Sequence, residues 1–408
     1  MTSREPQSGT SHWSRSQRKV LALAFATAVV GWGFSVYGPA VLLGMLKDTA
    51  GWSLAGISAA ISLHYLVGAL LVMWLPEVHA RIGLVSSIRI GIVAATIGLI
   101  AWSAAWSVYA MLPAAVLTGV GWALLGAATV NALVAPSFDR DRPKALALAF
   151  NGATLAGVIF TPLLVAANSA LGQIRGYAIV ALTASIVLLG LVVMLGSDLS
   201  SRDPTHSPPS MPPRLTIGEL MSERRFVSLA IATCLGVFAQ IGILTHLFAR
   251  LVQPLGATGA SLAVSMASIG VVVGRSLFAE AFQRSDRRLV GVAGFLLQIP
   301  GALALAFGSS TPVLAAGALV LGLAAGPVSS LGAVVAQSEF EARDVPRVVA
   351  LVTSINQIGL AGAPLAVGLI AEVAGGYLTS YCALAAVMAL GALSLLIGRE
   401  SKACSGAA

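Results

Sequence analysis

Long apolar runs alternate with short polar breaks along almost the whole chain. A membrane-spanning helix needs roughly 20 mostly apolar residues. Twelve such stretches occur, at 20–46, 54–75, 83–104, 107–136, 144–168, 174–196, 226–249, 257–282, 289–308, 311–338, 347–372 and 376–397. Several exceed the minimum, which permits tilt or extension beyond the bilayer. The pattern predicts an all-α polytopic membrane protein with twelve transmembrane helices. The longest polar stretch, Ser197 to Arg225, is rich in Pro, Ser and charge. It reads as a partly extended linker over 197–225, with a short surface helix within Leu215–Arg225. It separates two six-helix halves, 20–196 and 226–397, flanked by tails at 1–19 and 398–408.

Composition removes the competing classes. Of 408 residues, 57% are hydrophobic and only 10% are charged, against roughly 25% charged in soluble domains. A soluble globular chain and a disordered one are both excluded. The cysteines, Cys234, Cys382 and Cys404, are too few and too scattered for a disulfide framework or a Cys-type zinc site. The first apolar stretch is too long for a cleaved signal peptide, so it is expected to stay as the first helix.

The net charge of +8 is informative through its placement, because cytoplasmic loops collect Lys and Arg. With both termini and the even-to-odd connections inside, one side holds Arg4, Arg15, Arg18, Lys19, Arg81, Arg89, Arg140, Arg142, Lys144, Arg202, Arg214, Arg224, Arg225, Arg284, Arg287, Arg288, Arg343, Arg347, Arg399 and Lys402. The other side holds only Lys47, Arg175 and Arg250, and of the basic residues Arg275 alone lies deep within a span. Membrane topology thus accounts for the basic residues, and no nucleic-acid partner is expected. The expectation is an inner-membrane protein in the lipid bilayer with both termini cytoplasmic, acting as a monomer.

The halves repeat each other. Span 4 is followed by Ser137-Phe138-Asp139-Arg140-Asp141-Arg142-Pro143-Lys144, and span 10 by Glu339-Phe340-Glu341-Ala342-Arg343-Asp344-Val345-Pro346-Arg347. Phe138 and Phe340, Pro143 and Pro346, and Pro162 and Pro364 recur at nearly one offset. Two six-helix pseudo-symmetric repeats around a midplane site resemble the major facilitator superfamily. Loop Pro76-Glu77-Val78-His79-Ala80-Arg81-Ile82-Gly83 is similar to a degenerate form of that superfamily's Gly-x-x-x-Asp-Arg-x-Gly-Arg-Arg loop, without the aspartate. Its partner Arg284-Ser285-Asp286-Arg287-Arg288 is a closer match. The resemblance implies interdomain salt bridges gating the cytoplasmic side, through Arg81, Asp286, Arg287, Arg288, Asp139 and Arg140. The plain reading is positive-inside anchoring.

Phe138 to Gly157, with its basic pair, small residues, Gly152 and Gly157, resembles the fifth-helix signature of the monocarboxylate transporters. Gly31-Trp32-Gly33-Phe34 and Gly51-Trp52-Ser53 are similar to bacterial members of that family. One departure is Val30, where an acid often precedes the glycine-aromatic run. The same glycines, like Gly270 and Gly274, are explained by close helix packing.

Arg275, in Gly270-Val271-Val272-Val273-Gly274-Arg275-Ser276, is the one charge deep in a helix. Such a residue costs about 2.5–3.5 kcal/mol on insertion scales and needs a compensating reason. Monocarboxylate transporters and oxalate–formate exchangers place a substrate-binding arginine in helix 8, and the Gly-Arg pair matches at Arg275. A guanidinium offers paired planar donors to a carboxylate. A structural pairing with Glu280 is the alternative, although five positions share a helix face poorly. Val271 stands where animal proton-coupled members carry an aspartate, and span 11 has no counterpart of the exchanger's second cation. One cation argues for one carboxylate.

Tyr37, Asn151, Gln240, Asn356 and Gln357 are candidate substrate-binding groups beside Arg275, and each is alternatively an interhelical hydrogen bond. His64 and His246 are the candidate proton-linked groups. There is no HExxH, no paired membrane aspartate and no GxxxxGK[ST], so neither an enzyme nor a cofactor is expected. The expectation is a transporter of a small organic monocarboxylate, with exchange against a counter-anion preferred. A proton-coupled symporter, or an exporter of another small molecule, is the alternative.

Overall fold

The computed structural model describes residues 13–138, 141–200 and 214–399. It is all-helical, and the expected spans stand as α1 Arg15–Asp48, α2 Leu54–Met73, α3 Leu84–Ser103, α4 Val108–Ser137, α5 Arg142–Leu171, α6 Gln173–Gly196, α9 Arg287–Phe307, α10 Thr311–Glu339, α11 Val345–Val373 and α12 Tyr377–Ile397. Spans 7 and 8 need no polar loop. Arg224–Arg284 runs on as helix except at Gly256, whose φ of 68° and ψ of 170° divide it into α7 (224–255) and α8 (257–284). Glycine enters that left-handed region without a Cβ penalty, so one residue reverses the chain where a loop was expected. Short surface helices cover Leu75–Ile82 and Ile217–Ser222; the second is closed by a Thr216/Glu219 capping box. Within the 197–225 segment, 201–213 lie outside the described residues, as do Asp139 and Arg140.

The internal repeat has structural counterparts. Phe138 and Phe340 are both buried and both leave their helices in extended conformation. Pro143 and Pro346 start α5 and α11, and Pro162 and Pro364 lie inside them. Twelve helices in two six-helix halves are the major facilitator fold.

Close packing within each half depends on small residues, as expected where lipid removes the hydrophobic drive between helices. Gly270 and Gly274 of α8 face Gly322 and Gly326 of α10. A Cβ on Gly270 would stand 2.9 Å from the Leu319 carbonyl oxygen, and one on Gly326 2.6 Å from the Arg275 amide nitrogen. This reciprocal small-xxx-small seam fixes the backbone of Arg275 against α10. In the first half, α1 and α4 are both irregular where they meet. Gly33–Tyr37 is a π-helical turn, and α4 breaks at Gly126, while Gly31 presses on the Leu125 backbone.

At the arginine-rich end the second half is tied together by Arg288, which is 1% exposed. Its Nε and Nη2 donate to the Glu339 carboxylate at 2.6 and 2.8 Å. Nη1 donates to Ser228 Oγ at 2.8 Å, and Nη2 to the Arg225 carbonyl at 2.8 Å. Removing one partner of such a buried pair leaves an uncompensated charge. Arg288→Ala is therefore expected to lose about 3–5 kcal/mol of stability, read as a lower thermal midpoint in detergent. Exposed Arg284→Ala, paired only with Glu280 on the surface, is expected to stay near wild type.

Candidate functional site

The basic loops mark one end of the bundle; the other is the far end. Arg275 sits nine residues from the end of α8 at Arg284, about 14 Å inward at 1.5 Å per residue. Asn151 of α5 lies nine residues from Arg142, at the same depth. Across the junction of the two halves, Arg275 Nη1 donates to Asn151 Oδ1 at 3.2 Å. Glu280 instead pairs with Arg284 at 2.7 Å, four residues on. The intrahelical alternative for Arg275 is thus taken up elsewhere.

Two turns above Arg275 on α8, Ser268 is within 3.3 Å of the Tyr37 hydroxyl, again across the halves. Gly157 of α5 fits between them, where a Cβ would collide with both side chains. A cavity of about 300 Å³ adjoins this junction, lined by Asn151, Thr154 and Ser268 among Phe25, Leu155 and Val272. That lies at the lower end of the range for small-ligand pockets. A larger cavity of about 460 Å³ between α1, α5 and α6 offers Thr183 as its one polar side chain. The smaller cavity is the better candidate because its lining includes Asn151, the hydrogen-bond partner of Arg275.

Three of the expected residues, Tyr37, Asn151 and Arg275, therefore meet at the α1/α5/α8 junction. The others do not join them through any hydrogen bond among the described residues. Gln240 Nε2 donates to the Ala325 carbonyl at 3.3 Å, a bond within the second half. Asn356 and Gln357 are half-buried on α11, and Asn356 Oδ1 is buried without a partner. His64 is fully buried in the first half, with Nδ1 3.0 Å from Thr118 Oγ1. That oxygen gives its hydrogen to the Ala114 carbonyl and accepts from Trp102 Nε1, so Nδ1 is the protonated nitrogen of His64.

His246 belongs to the far end. Its Nε2 is 3.0 Å from the Pro364 carbonyl and its Nδ1 3.2 Å from the Tyr377 hydroxyl. A carbonyl only accepts, so Nε2 carries the hydrogen and Nδ1 accepts from tyrosine.

Of the expected gating residues, Asp286 and Arg288 form ion pairs within the second half, and no cross-half ion pair involves the gating set among the described residues. Asp286 caps α9 by accepting from the Arg288 and Leu289 amides and takes Arg399 Nε at 2.7 Å. Burial acts to raise the Asp286 carboxyl, but these hydrogen bonds and the Arg399 charge outweigh it and hold it below the ordinary carboxylate value. Its stabilising contribution is thus full above that ordinary value and fades as pH falls through the lowered one. Arg287 Nη1 donates to the Val334 carbonyl. Arg81 is exposed. Among the described residues, the hydrogen bonds that join the halves run from the Arg275 level through Tyr37–Ser268 to the far end, where they are most numerous, so this structure is closed at the far end. Loops at the other end are then free to pair within their own half.

Ser268 and the far-end groups Ser58, Ser62 and Glu372 escaped the sequence reading, while Gly157 and Ser53 entered it only through motif matches and helix packing. Ser268 had a usable signal, seven residues before Arg275 and therefore on its face of the helix. The serines of α2 had none, since a serine bonding to its own helix looks identical.

A two-fold bundle of spanning helices, with an ionisable group and hydrogen-bonding partners at the interface of its halves, defines a secondary-transporter architecture. The Major Facilitator Superfamily model matches residues 23–279 and 251–404. The chain belongs to that superfamily. Solved structures share the fold. A bacterial homologue of the human lysosomal transporter Spinster, inward-facing and occupied, aligns with a TM-score of 0.71 at 16% identity, covering 96% of this chain and 100% of that one. Its unoccupied inward-facing form gives 0.70 at 15% identity, covering 97% and 100%. A point mutant of the nucleoside transporter NupG gives 0.73 at 14% identity, covering 95% and 100%. No curated protein matches the sequence.

Proposed function

We propose that this superfamily transporter carries a small organic monocarboxylate, with Arg275 pairing to the carboxylate during alternating access. The observation that carries this reading is the pairing of Arg275. Its backbone lies about 14 Å along α8 from the helix end at Arg284, and the hydrogen-bond partner of its guanidinium is a neutral amide, Asn151. An amide oxygen is a weaker partner for a guanidinium than an ionised oxygen, so a carboxylate entering the adjoining cavity displaces it favourably. A nucleoside, the cargo named for one structural neighbour, is uncharged and would leave the guanidinium without counter-charge. Tyr37, Asn151 and Ser268 then orient the rest of the acid.

Uptake of a panel of radiolabelled acids into proteoliposomes tests the reading. Arg275→Ala and Arg275→Lys should both lower transport at least about ten-fold, because an ammonium cannot reproduce the planar fork. Normal transport by a membrane-inserted Arg275→Ala protein refutes the assignment.

Coupling follows from the same charge. With substrate bound, guanidinium and carboxylate neutralise each other and the loaded carrier reorients at low electrostatic cost. Empty, the site retains a net positive charge, since Val271 supplies no acid and Asn151 no charge. Reorientation of the empty carrier is therefore the slow step, which favours exchange over proton symport. Preloading vesicles with unlabelled acid should accelerate uptake of labelled acid severalfold. Asn151→Asp, which places a carboxylate beside Arg275, should reduce both that acceleration and substrate affinity. If a proton gradient alone drives accumulation and preloading has no effect, symport is the mechanism.

The arginine-rich end and the 197–225 segment are assigned to the cytoplasm, in an inner membrane. A membrane-impermeant thiol reagent on intact cells should spare a cysteine placed at Ser207 and label one placed at Gly256. The reverse pattern inverts the topology.

A further inference from the structure

At the far end, α2 and α11 run antiparallel across the halves and touch at successive levels. Ser53 Oγ donates to the Glu372 carboxylate at 3.1 and 2.8 Å. The Ala55 amide donates to Glu372 Oε2 at 2.7 Å. One turn in, Ser58 stands against Gly368, where a Cβ would collide with it, and lies 3.5 Å from His246 Nε2. Deeper still, Ser62 Oγ accepts the Leu365 amide at 3.0 Å. Glu372, Gly368 and Leu365 are spaced four and three apart, on one face of α11.

Glu372 differs in kind from the rest of this seam. Ser53 is the N-cap of α2, its Oγ accepting from the Gly56 amide at 3.0 Å. The Ala55 amide is one of the orphan donors that every helix start leaves open. A carboxylate from the opposite half thus completes the N-terminus of α2, where the helix dipole favours negative charge. The carboxylate is exposed at this end.

Of the other charged and titratable groups near it, Lys47, Arg250 and His246 have their own partners. Lys47 at the end of α1 lies 4.9 Å over the Tyr377 ring of α12, and Asp48 beside it is exposed. Arg250 of α7 donates to the Leu305 and Gly308 carbonyls. His246 is held by Pro364 and Tyr377, and Tyr381 is buried beside Tyr377. On α2 itself the titratable groups are His64, buried within the first half, and Tyr65, buried at the junction where it meets Thr245 of α7. Among the described residues no cation forms an ion pair with Glu372.

We propose that Glu372 is a pH-sensitive latch on the far-side gate: ionised, it pins the start of α2 to α11 and holds that end closed; protonated, it releases. Protonation removes the charge that the helix start favours and converts one acceptor oxygen into a hydroxyl, while leaving Ser58 and Ser62 as weak neutral contacts. The proton enters and leaves from the far-side solution, so the latch sets the rate of opening without driving accumulation. The proposal rests on alternating access and not on the substrate assignment at Arg275, so either can fail alone.

The test uses the full-length protein in nanodiscs, where both ends share one pH. Its three native cysteines are replaced by serine, and spin labels are placed at Ala104→Cys and Ser309→Cys on far-end connections of opposite halves. Lowering the pH from about 8 to about 3, through and well below the ordinary carboxylate value, should shift the distance distribution towards longer separations. The open-to-closed ratio should rise about three- to ten-fold. Glu372→Gln should hold the low-pH distribution at every pH, and Glu372→Asp should retain a pH response. Ser53→Ala, which removes one donor to the carboxylate, should move the transition to higher pH. A wild-type distribution that ignores pH overturns the proposal. So does a Glu372→Gln protein that still responds, and so does an unmoved transition in Ser53→Ala.

Discussion

Inside a bilayer no water is available to satisfy a polar group, so each backbone amide and carbonyl must find a partner in the protein. The rest of this structure follows from that constraint. It forces the twelve apolar stretches into helices and makes every helix irregularity a problem to be solved locally. Pro364 in α11 shows the solution. A proline disrupts the helical bonding around it, and here the Pro364 carbonyl receives His246 while the Leu365 amide goes to Ser62. The second of these partners belongs to the other half of the molecule. A helix defect is thereby converted into a contact between halves, and closure of the far end satisfies backbone that separation would expose.

The same rule governs the single deep charge. A guanidinium without a counter-ion is tolerated where it is turned into the protein and has an amide to donate to, and much less so against lipid. Asn151 supplies that amide from the opposite half. The one deep charge and a cross-half hydrogen bond are thus a single feature, and its location follows from the glycine seam of α8 and α10 that holds the Arg275 backbone. A bulkier residue at Gly326 would push against the Arg275 amide itself.

Much of the fold was legible in the sequence because hydropathy and loop charge both report membrane position directly. The boundaries of most spans could be read within three residues, the start of α1 and the end of α7 being missed by five and six, and the repeat was visible in Phe138/Phe340 and Pro162/Pro364. Where the reading failed, the information was in tertiary geometry. Gly256 gives no sign of replacing a loop, because an isolated glycine in an apolar run reads equally as packing. Of the candidate site, Arg275 stood out by charge, but its partnership with Asn151 and not with Glu280 depends on which helices cross. His246 and Gln240 are equally polar, yet each is directed to a carbonyl within its own half, a distinction that composition does not contain.

Within the halves, contacts are backbone-close and rigid: glycine seams, the buried Arg288–Glu339 pair and interlocked aromatics such as Trp32 on Trp122 at 4.8 Å. Between the halves, the polar contacts are mainly single hydrogen bonds from serine, tyrosine and asparagine. Interhelical bonds of this kind average about 0.6 kcal/mol in membranes, so a handful can be exchanged for water or for contacts at the opposite end. Breaking a seam inside a half would instead open voids or strand a buried charge, at several kcal/mol each. The division of bond types therefore sets which parts move. Two stiff six-helix bodies are joined by a weakly bonded interface, and the charged members of that interface, Arg275 at mid-depth and Glu372 at the far end, are the points where a ligand or a proton can bias its position.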